Sequence, residues 1–182
     1  MRIVAGTAGG RRLRVPSRGT RPTSERVREA LFSRLEHLGY LDSTLVLDLY
    51  AGSGALGLEA VSRGAAQAVL VESARPAVAT CRANIATAGL GDRVQVRNTT
   101  VAHYLAGPPP PEPFDVVLCD PPYAAAVRED LEALARPGWL AADAMVVLER
   151  DQRSDAPQWP AGWEPLGARR YGETTIHSAR IP

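Results

Sequence analysis

Short runs of β-prone apolar residues alternate with helical patterns over most of the chain. We predict strands at residues 45–49, 68–72, 94–97, 114–119 and 144–149. Helices rich in Ala, Leu and Arg are predicted near 54–62, 76–88 and 127–135. This alternation is typical of stacked βαβ units, so we expect an α/β fold with a mainly parallel sheet.

Both ends of the chain depart from this alternation. Two extended segments flank Gly172 and predict a terminal antiparallel hairpin. Near the other end, apolar residues recur at helical spacing, at Val27, Leu31, Leu35 and Leu38. We predict a helix here with Thr23 as its N-cap and Glu25 in its first turn. The glycine-containing polar segment before it is expected to fold as a small hairpin.

Length and composition limit the protein class. A chain of 182 residues with 45% hydrophobic residues suits one globular domain with a small appendage. No apolar run is long enough to span a bilayer and no signal peptide is evident, so we expect a cytoplasmic protein that makes no membrane contact. Cys81 and Cys119 are far apart and lack ligand-spaced partners, which argues against a disulfide framework or a metal site.

The charge is unevenly distributed along the chain. Residues 1–40 carry nine arginines and three acidic residues, a net charge of +6, whereas residues 41–182 carry twelve arginines and seventeen acidic residues. We therefore divide the chain into an arginine-rich extension, 1–40, and a main domain, 41–182. The excess positive charge of the extension favours a polyanionic partner. Its candidate phosphate contacts are Arg2, Arg11, Arg12, Arg14, Arg18 and Arg21.

A glycine-rich turn follows the first predicted strand of the main domain. Gly52, Gly54 and Gly57 form a G-x-G-x-x-G sequence, and Glu72 ends the next strand about 20 residues later, where a carboxylate can accept both hydroxyls of a ribose. The spacing predicts a nucleoside-cofactor site for either a dinucleotide or S-adenosylmethionine. Asp48, at the end of the first strand, would repel a pyrophosphate and attract the cationic end of S-adenosylmethionine, so it favours the methyl donor.

Asp120, Pro121, Pro122 and Tyr123 directly follow the fourth predicted strand. Two prolines fix the backbone and remove two N–H donors, so carbonyl acceptors are left in a rigid turn. Together with the Asp120 carboxylate, these acceptors can grip the protons of an exocyclic base amine. Tyr123 offers an aromatic face on which a flipped base can stack.

These two motifs, in this order, resemble the class I S-adenosylmethionine-dependent methyltransferases that methylate amino groups. The opening residues Arg2-Ile3-Val4-Ala5-Gly6, Gly10-Arg11-Arg12-Leu13, Pro16 and Arg21-Pro22-Thr23, with Arg26, Glu29 and Leu31-Phe32, resemble those of the RsmD family. The resemblance covers essentially the whole chain. It implies a Rossmann-like class I methyltransferase fold. It also implies methyl transfer to the exocyclic N2 of a guanine in 16S ribosomal RNA, with the extension contacting RNA and the main domain holding donor and base.

The resemblance also implies roles for individual residues. Those expected to hold S-adenosylmethionine are Asp48, Ala51, Gly52, Ser53, Gly54, Glu72, Thr100 and Asp120. Asp120, Pro121, Pro122 and Tyr123 are the expected catalytic residues. The segment 98–101 departs from the Asp-Ala that many methyltransferases carry near the donor adenine, which leaves that contact open.

Several alternatives stay open at this point. The acceptor amine could be adenine N6 or a protein glutamine, and an RNA-binding assembly factor without activity would share the arginine-rich extension. A dinucleotide-dependent oxidoreductase is disfavoured because no residues remain for a second domain. The expected partner is 16S ribosomal RNA or a small-subunit assembly particle, and the expected state is a monomer.

Overall fold

The computed structural model describes residues 1–16, 24–122, 125 and 127–182. In this part of the chain, seven strands form a single sheet: β1 Leu45–Leu49, β2 Gln67–Glu72, β3 Val94–Asn98, β4 Phe114–Cys119, β5 Leu140–Asp151, β6 Glu164–Tyr171 and β7 Thr174–Arg180. The same part contains five helices: α1 Glu25–His37, α2 Ala55–Ser62, α3 Arg75–Ala88, α4 Val101–Ala106 and α5 Val127–Leu134.

The strand order is β3-β2-β1-β4-β5-β7-β6. Strands β1 to β5 are parallel, and β7 lies antiparallel between β5 and β6. The mainly parallel sheet and its terminal antiparallel hairpin are thus confirmed. The chain proceeds from β1 outward to β2 and β3, then returns to place β4 on the other side of β1. Ligands of open α/β sheets bind at this reversal, beyond the carboxyl ends of the strands.

The central strands are buried on both faces. Val46 and Leu70 belong to an apolar cluster that includes residues of α1, α2 and α3, whereas Leu47 and Val71 belong to a second cluster with residues of α4 and α5. Successive residues of a strand point to opposite faces, so neighbouring positions feed the two layers. This explains why the strand sequences are almost continuously apolar.

One strand extends well beyond its predicted range, and one helix was not predicted. Strand β5 runs over Leu140–Asp151, longer than the predicted 144–149, because it pairs with β4 on one side and β7 on the other. Helix α4, Val101–Ala106, was not predicted, since six residues are too few to display a helical period. Its N-cap is Thr100, whose side chain accepts the His103 N–H at 3.2 Å.

The predicted N-terminal hairpin is confirmed. Arg2 and Arg12 form an antiparallel bridge, and the Ile3 N–H donates to the Arg11 carbonyl at 3.0 Å. The hairpin is attached to α2 through Glu59, a fully buried residue whose carboxylate accepts the N–H groups of residues 4 and 5 at 2.7 and 3.0 Å. Ile3 itself lies in the same apolar cluster as the central strands.

Helix α1 corrects two predictions. Its N-cap is Ser24, whose hydroxyl accepts the Val27 N–H at 3.3 Å, and not Thr23, which lies outside the described residues. Leu38 is 46% exposed because the helix ends at His37, so its side chain lies beyond the buried face. Arg28 is buried on this helix instead and donates to the Arg2 carbonyl at 2.6 Å.

Candidate active site

The register of the central strands brings the predicted motifs to one edge. Leu49 of β1 lies opposite Val71 of β2 on one side and Cys119 of β4 on the other. Neighbouring strands lie about 4.8 Å apart. The glycine loop after β1, Glu72 at the end of β2 and Asp120 after β4 therefore meet at the carboxyl edge of the sheet. Pairing in the sheet thus assembles one site from segments that are far apart in sequence.

The residues after β4 lie at the rim of this edge. Asp120 and Pro121 are partly exposed and Pro122 is exposed. Tyr123, the predicted stacking residue, lies outside the described residues. The structure therefore brings Asp120 and the two prolines to the glycine loop, while the role of Tyr123 stays a prediction.

The glycine loop is defined here as residues 51–57. Gly54 has a φ of +77° and is the N-cap of α2, and a Cβ there would lie 2.9 Å from the Leu70 side chain. A Cβ at Gly57 would lie 2.2 Å from the same side chain, which is closer than any real contact. Both glycines are required because the loop turns sharply against β2.

Three side chains from other elements hold the peptide groups of the glycine loop. Glu72 accepts the Gly52 N–H at 2.9 Å, the Cys81 thiol contacts the Gly52 carbonyl at 3.1 Å, and Asn84 donates to the Ser53 carbonyl at 2.9 Å. Cys81 and Asn84 lie one turn apart on α3, and neither was predicted to belong to the site. The available signal was Asn84 itself, a polar residue on an otherwise apolar helical face.

Asp48 lies beneath the glycine loop. Its side chain is 1% exposed and its Oδ2 accepts the Gly57 N–H at 2.9 Å. Its Oδ1 has no hydrogen-bond partner among the described residues. Burial raises the pKa of Asp48 to about 7, the Gly57 hydrogen bond opposes this shift, and the nearby charge of Glu72 adds to it. The predicted attraction between the Asp48 carboxylate and the cationic end of S-adenosylmethionine would thus act from beneath the glycine loop.

A cavity of about 240 Å³ opens beside Glu72 at the carboxyl ends of β1, β2 and β3. It is lined by Tyr50, Val71, Glu72, Ser73, Thr99, Thr100, Val101, Ala102 and Asp130. Most of the lining surface is apolar, with polar groups at Glu72 and the threonines. Such a cavity suits a flat heterocycle whose attached sugar reaches a carboxylate.

Tyr50 and Asp130 meet in the wall of this cavity. The Tyr50 hydroxyl donates to Asp130 Oδ2 at 2.6 Å and joins the end of β1 to α5. Burial raises the pKa of the Asp130 carboxyl, although the Tyr50 hydrogen bond opposes that shift. Burial and the adjoining carboxylate raise the pKa of the Tyr50 phenol, so it remains a proton donor at neutral pH.

Neighbouring hydrogen bonds stabilise the cavity floor. The Thr99 N–H donates to the Glu72 carbonyl at 3.1 Å, and the Asn98 side chain donates to the carbonyls of Glu72 and Ser73 at 3.3 and 3.2 Å. The ends of β2 and β3 are thereby joined. Thr100, a predicted cofactor residue, lies in the cavity lining at the start of α4.

The arginines of the extension differ in how they are engaged. Arg2 pairs with Glu25 at 3.1 Å, and Arg11 donates to the Thr87 carbonyl at the end of α3 at 2.9 Å. Arg12 and Arg14 are exposed, and their side chains make no hydrogen bond or ion pair within the described part of the chain. Arg18 and Arg21 lie outside the described residues.

Neither a metal site nor a membrane span is found in the described ranges. No three His, Cys, Asp or Glu side chains there cluster closely enough to hold a metal ion. None of the helices in those ranges is long and apolar enough to cross a bilayer. Both cysteines are buried, and burial, with nearby carboxylates, raises the pKa of Cys81 to about 12, so its thiol stays protonated.

Comparison with known proteins connects this geometry to a family. The family model described as Conserved hypothetical protein 95 matches residues 1–180. The chain belongs to this family, the RsmD family. Among RsmD relatives, ribosomal RNA small subunit methyltransferase D of Escherichia coli is 39% identical over 165 residues, which are 90% of this chain and 81% of the relative.

Solved structures show the same architecture. The yhhF protein of Escherichia coli superimposes with a TM-score of 0.88 at 34% identity, covering 100% of this chain and 97% of the other. An RNA methyltransferase from Salinibacter ruber, solved with S-adenosyl-L-homocysteine, has a TM-score of 0.62 at 21% identity, with 89% and 94% covered. The RsmD family member described here therefore shares its fold with this more distant methyltransferase.

Proposed function

We propose that this chain transfers a methyl group from S-adenosylmethionine to the exocyclic N2 of a guanine in 16S ribosomal RNA. The observation that carries the proposal is the meeting of Glu72, the glycine loop and Asp120 at one sheet edge. The name of the Escherichia coli relative, a small-subunit ribosomal RNA methyltransferase, supports the substrate class. We propose residues 1–40 as the RNA-contacting extension and 41–182 as the catalytic domain.

The residues at the edge fit S-adenosylmethionine. The Glu72 carboxylate keeps unused lone pairs for a ribose diol, and the adjoining cavity has room for an adenine. Gly52 and Gly54 let a ligand approach the backbone, and the buried Asp48 favours a cation above the loop. A sulfonium methyl group is the electrophile that this donor supplies when bound.

The chemistry left to the protein is orientation of the amine. An exocyclic base amine is a poor nucleophile because its lone pair is delocalised into the ring. Asp120 and the carbonyls of the proline turn are suited to accept its two protons, which directs the lone pair toward the donor methyl group. As positive charge develops on nitrogen, the Asp120 carboxylate stabilises it.

The deciding experiment is nucleoside analysis after the reaction. We would incubate the purified protein with methyl-labelled S-adenosylmethionine and either unmodified 16S ribosomal RNA or small subunits isolated from cells that lack the gene. Mass spectrometry of the digested RNA is expected to find N2-methylguanosine in one of the two substrates. Labelled methyladenosine, labelled protein glutamine, or no transfer to either substrate would overturn the proposal.

A further inference from the structure

Asn84 is a fully buried amide that contacts two separate segments of the chain. Its Oδ1 accepts the Arg14 N–H at 2.8 Å, and its Nδ2 donates to the Arg14 carbonyl at 2.9 Å. The same nitrogen donates to the Ser53 carbonyl at 2.9 Å. Asn84 therefore bonds the glycine loop and residues 1–16, here called the N-terminal segment, at once. It does so from a position on α3 that is 0% exposed.

The hydrogen bonds determine how this amide is oriented. An exchange of its oxygen and nitrogen would set an NH₂ group against the Arg14 N–H and an oxygen against two carbonyls. Both amide protons are used, and the surrounding α3 face is formed by Val78, Cys81 and Ile85. A buried polar group on an apolar face is costly unless it is fully bonded, so we expect the three hydrogen bonds of Asn84 to form and break together.

The bond to Ser53 fixes a peptide group of the proposed cofactor loop. The peptide between Ser53 and Gly54 is held at its carbonyl by Asn84 and at its N–H by the Ala51 carbonyl, at 2.7 Å. Its orientation therefore depends on the amide. On the other side, both main-chain polar groups of Arg14 depend on the same amide, and the exposed Arg14 side chain is a proposed phosphate contact.

We propose that Asn84 is a positioning residue that couples RNA binding by the N-terminal segment to donor binding by the glycine loop. This inference rests on the proposed function. Donor binding immobilises the loop peptide and with it the amide, so RNA then meets an Arg14 backbone that is already ordered. The second ligand to bind therefore incurs a smaller loss of conformational entropy. Each ligand binds more tightly in the presence of the other, and both affinities increase by the same factor.

Two neighbouring contacts provide matched controls. Cys81 supports the glycine loop at the Gly52 carbonyl but makes no hydrogen bond to the N-terminal segment. Arg11 attaches the N-terminal segment to α3 at Thr87 but makes no hydrogen bond to the loop. Cys81→Ala and Arg11→Ala each disturb one side of the connection, whereas Asn84→Ala removes the connection itself.

The experiment measures coupling rather than activity. Calorimetry would give the Kd of S-adenosylhomocysteine with and without saturating 16S ribosomal RNA, and the ratio of the two values is the coupling factor. We expect a factor of about five or more in the parent, within the usual range of coupling between sites. We expect it to persist in Cys81→Ala and Arg11→Ala and to fall to about one in Asn84→Ala.

A second measurement on the parent protein covers the case in which Asn84→Ala does not fold. S-adenosylhomocysteine should slow amide hydrogen exchange several-fold in residues 11–16, which include the Arg14 N–H, in the absence of RNA. The inference would be overturned if folded Asn84→Ala retained the coupling, or if the parent bound the two ligands independently. It would also be overturned if S-adenosylhomocysteine left the exchange of residues 11–16 unchanged. A parent that binds neither ligand would instead refute the proposed function on which it rests.

Discussion

The Glu72 carboxylate accepts the Gly52 N–H at 2.9 Å, which joins the end of β2 to the glycine loop. Its other oxygen accepts the Ala74 N–H at 2.8 Å. Two backbone donors thus orient the carboxylate at the mouth of the cavity, and each oxygen retains a lone pair. This side chain is positioned before any ribose arrives, which lowers the entropic cost of binding.

Removal of this acceptor should therefore weaken donor binding. We expect Glu72→Ala to reduce the affinity for S-adenosylhomocysteine by about 1 to 3 kcal/mol, as measured by calorimetry, because two charge-assisted hydrogen bonds are lost. Glu72→Gln should also weaken binding, since its NH₂ group would face the N–H of either Gly52 or Ala74, which a carboxylate oxygen accepts in the parent. NAD should not compete in either protein. An undiminished affinity in Glu72→Ala would refute the ribose contact.

Asp48 should make stability depend on pH. Its pKa of about 7 in the folded protein lies above the ordinary value of 3.8, so the folded state binds the proton more tightly than the unfolded state does. Stability from this group is complete below about pH 4 and is lost as the pH rises toward 7, for a total of about 4 kcal/mol.

Asp48→Asn isolates this effect because an amide oxygen can still accept the Gly57 N–H. We would measure the free energy of unfolding of both proteins in urea. From pH 5 to 7, the stability of Asp48→Asn relative to the parent should increase by roughly 1.4 kcal/mol per pH unit. A stability difference that stays constant over that interval would show that the Asp48 carboxyl has the same pKa in the folded and unfolded states.

Asp120→Ala should lower methyl transfer by about 10²-fold or more while leaving RNA binding and thermal stability near parental values, because orientation and charge stabilisation are lost together. Asp120→Asn should be milder, since its amide still offers an acceptor. Asp92→Ala is the matched control, as this exposed carboxylate precedes β3 at the opposite edge of the sheet. Parental turnover in Asp120→Ala would contradict the assigned role.

Arg12 and Arg14 should contact RNA phosphates. Replacing both with Ala should weaken RNA binding and reduce the slope of log affinity against log salt by about 1.4 to 1.8, as expected for two lost contacts. The main-chain bonds of Arg14 to Asn84 are kept in this variant. Arg169 and Arg170, exposed on the edge strand β6, provide the control pair. Equal salt slopes for the two double variants would rule out specific contacts by Arg12 and Arg14.

The sequence by itself determined the fold class and the principal motifs. The apolar runs of β1 to β4 and the glycine loop were recognisable because a buried parallel strand must be apolar on both faces and a sharp turn against β2 requires glycine. Glu72 and Asp120 were identifiable because they directly follow apolar runs. All of these features are local, because each depends only on residues that are close together in the sequence.

Only the tertiary structure decided which distant residues share a site. Asn84 bonds both Arg14 and Ser53, and Cys81 contacts the Gly52 carbonyl, because α3 packs against both the glycine loop and the N-terminal segment. No periodicity in the sequence indicates that packing. The burial of Asp48 has the same origin, since α2 covers the strand end from which it projects. Side-chain environments of this kind depend on contacts between elements, whereas the elements themselves follow from hydrophobic periodicity and local backbone preference.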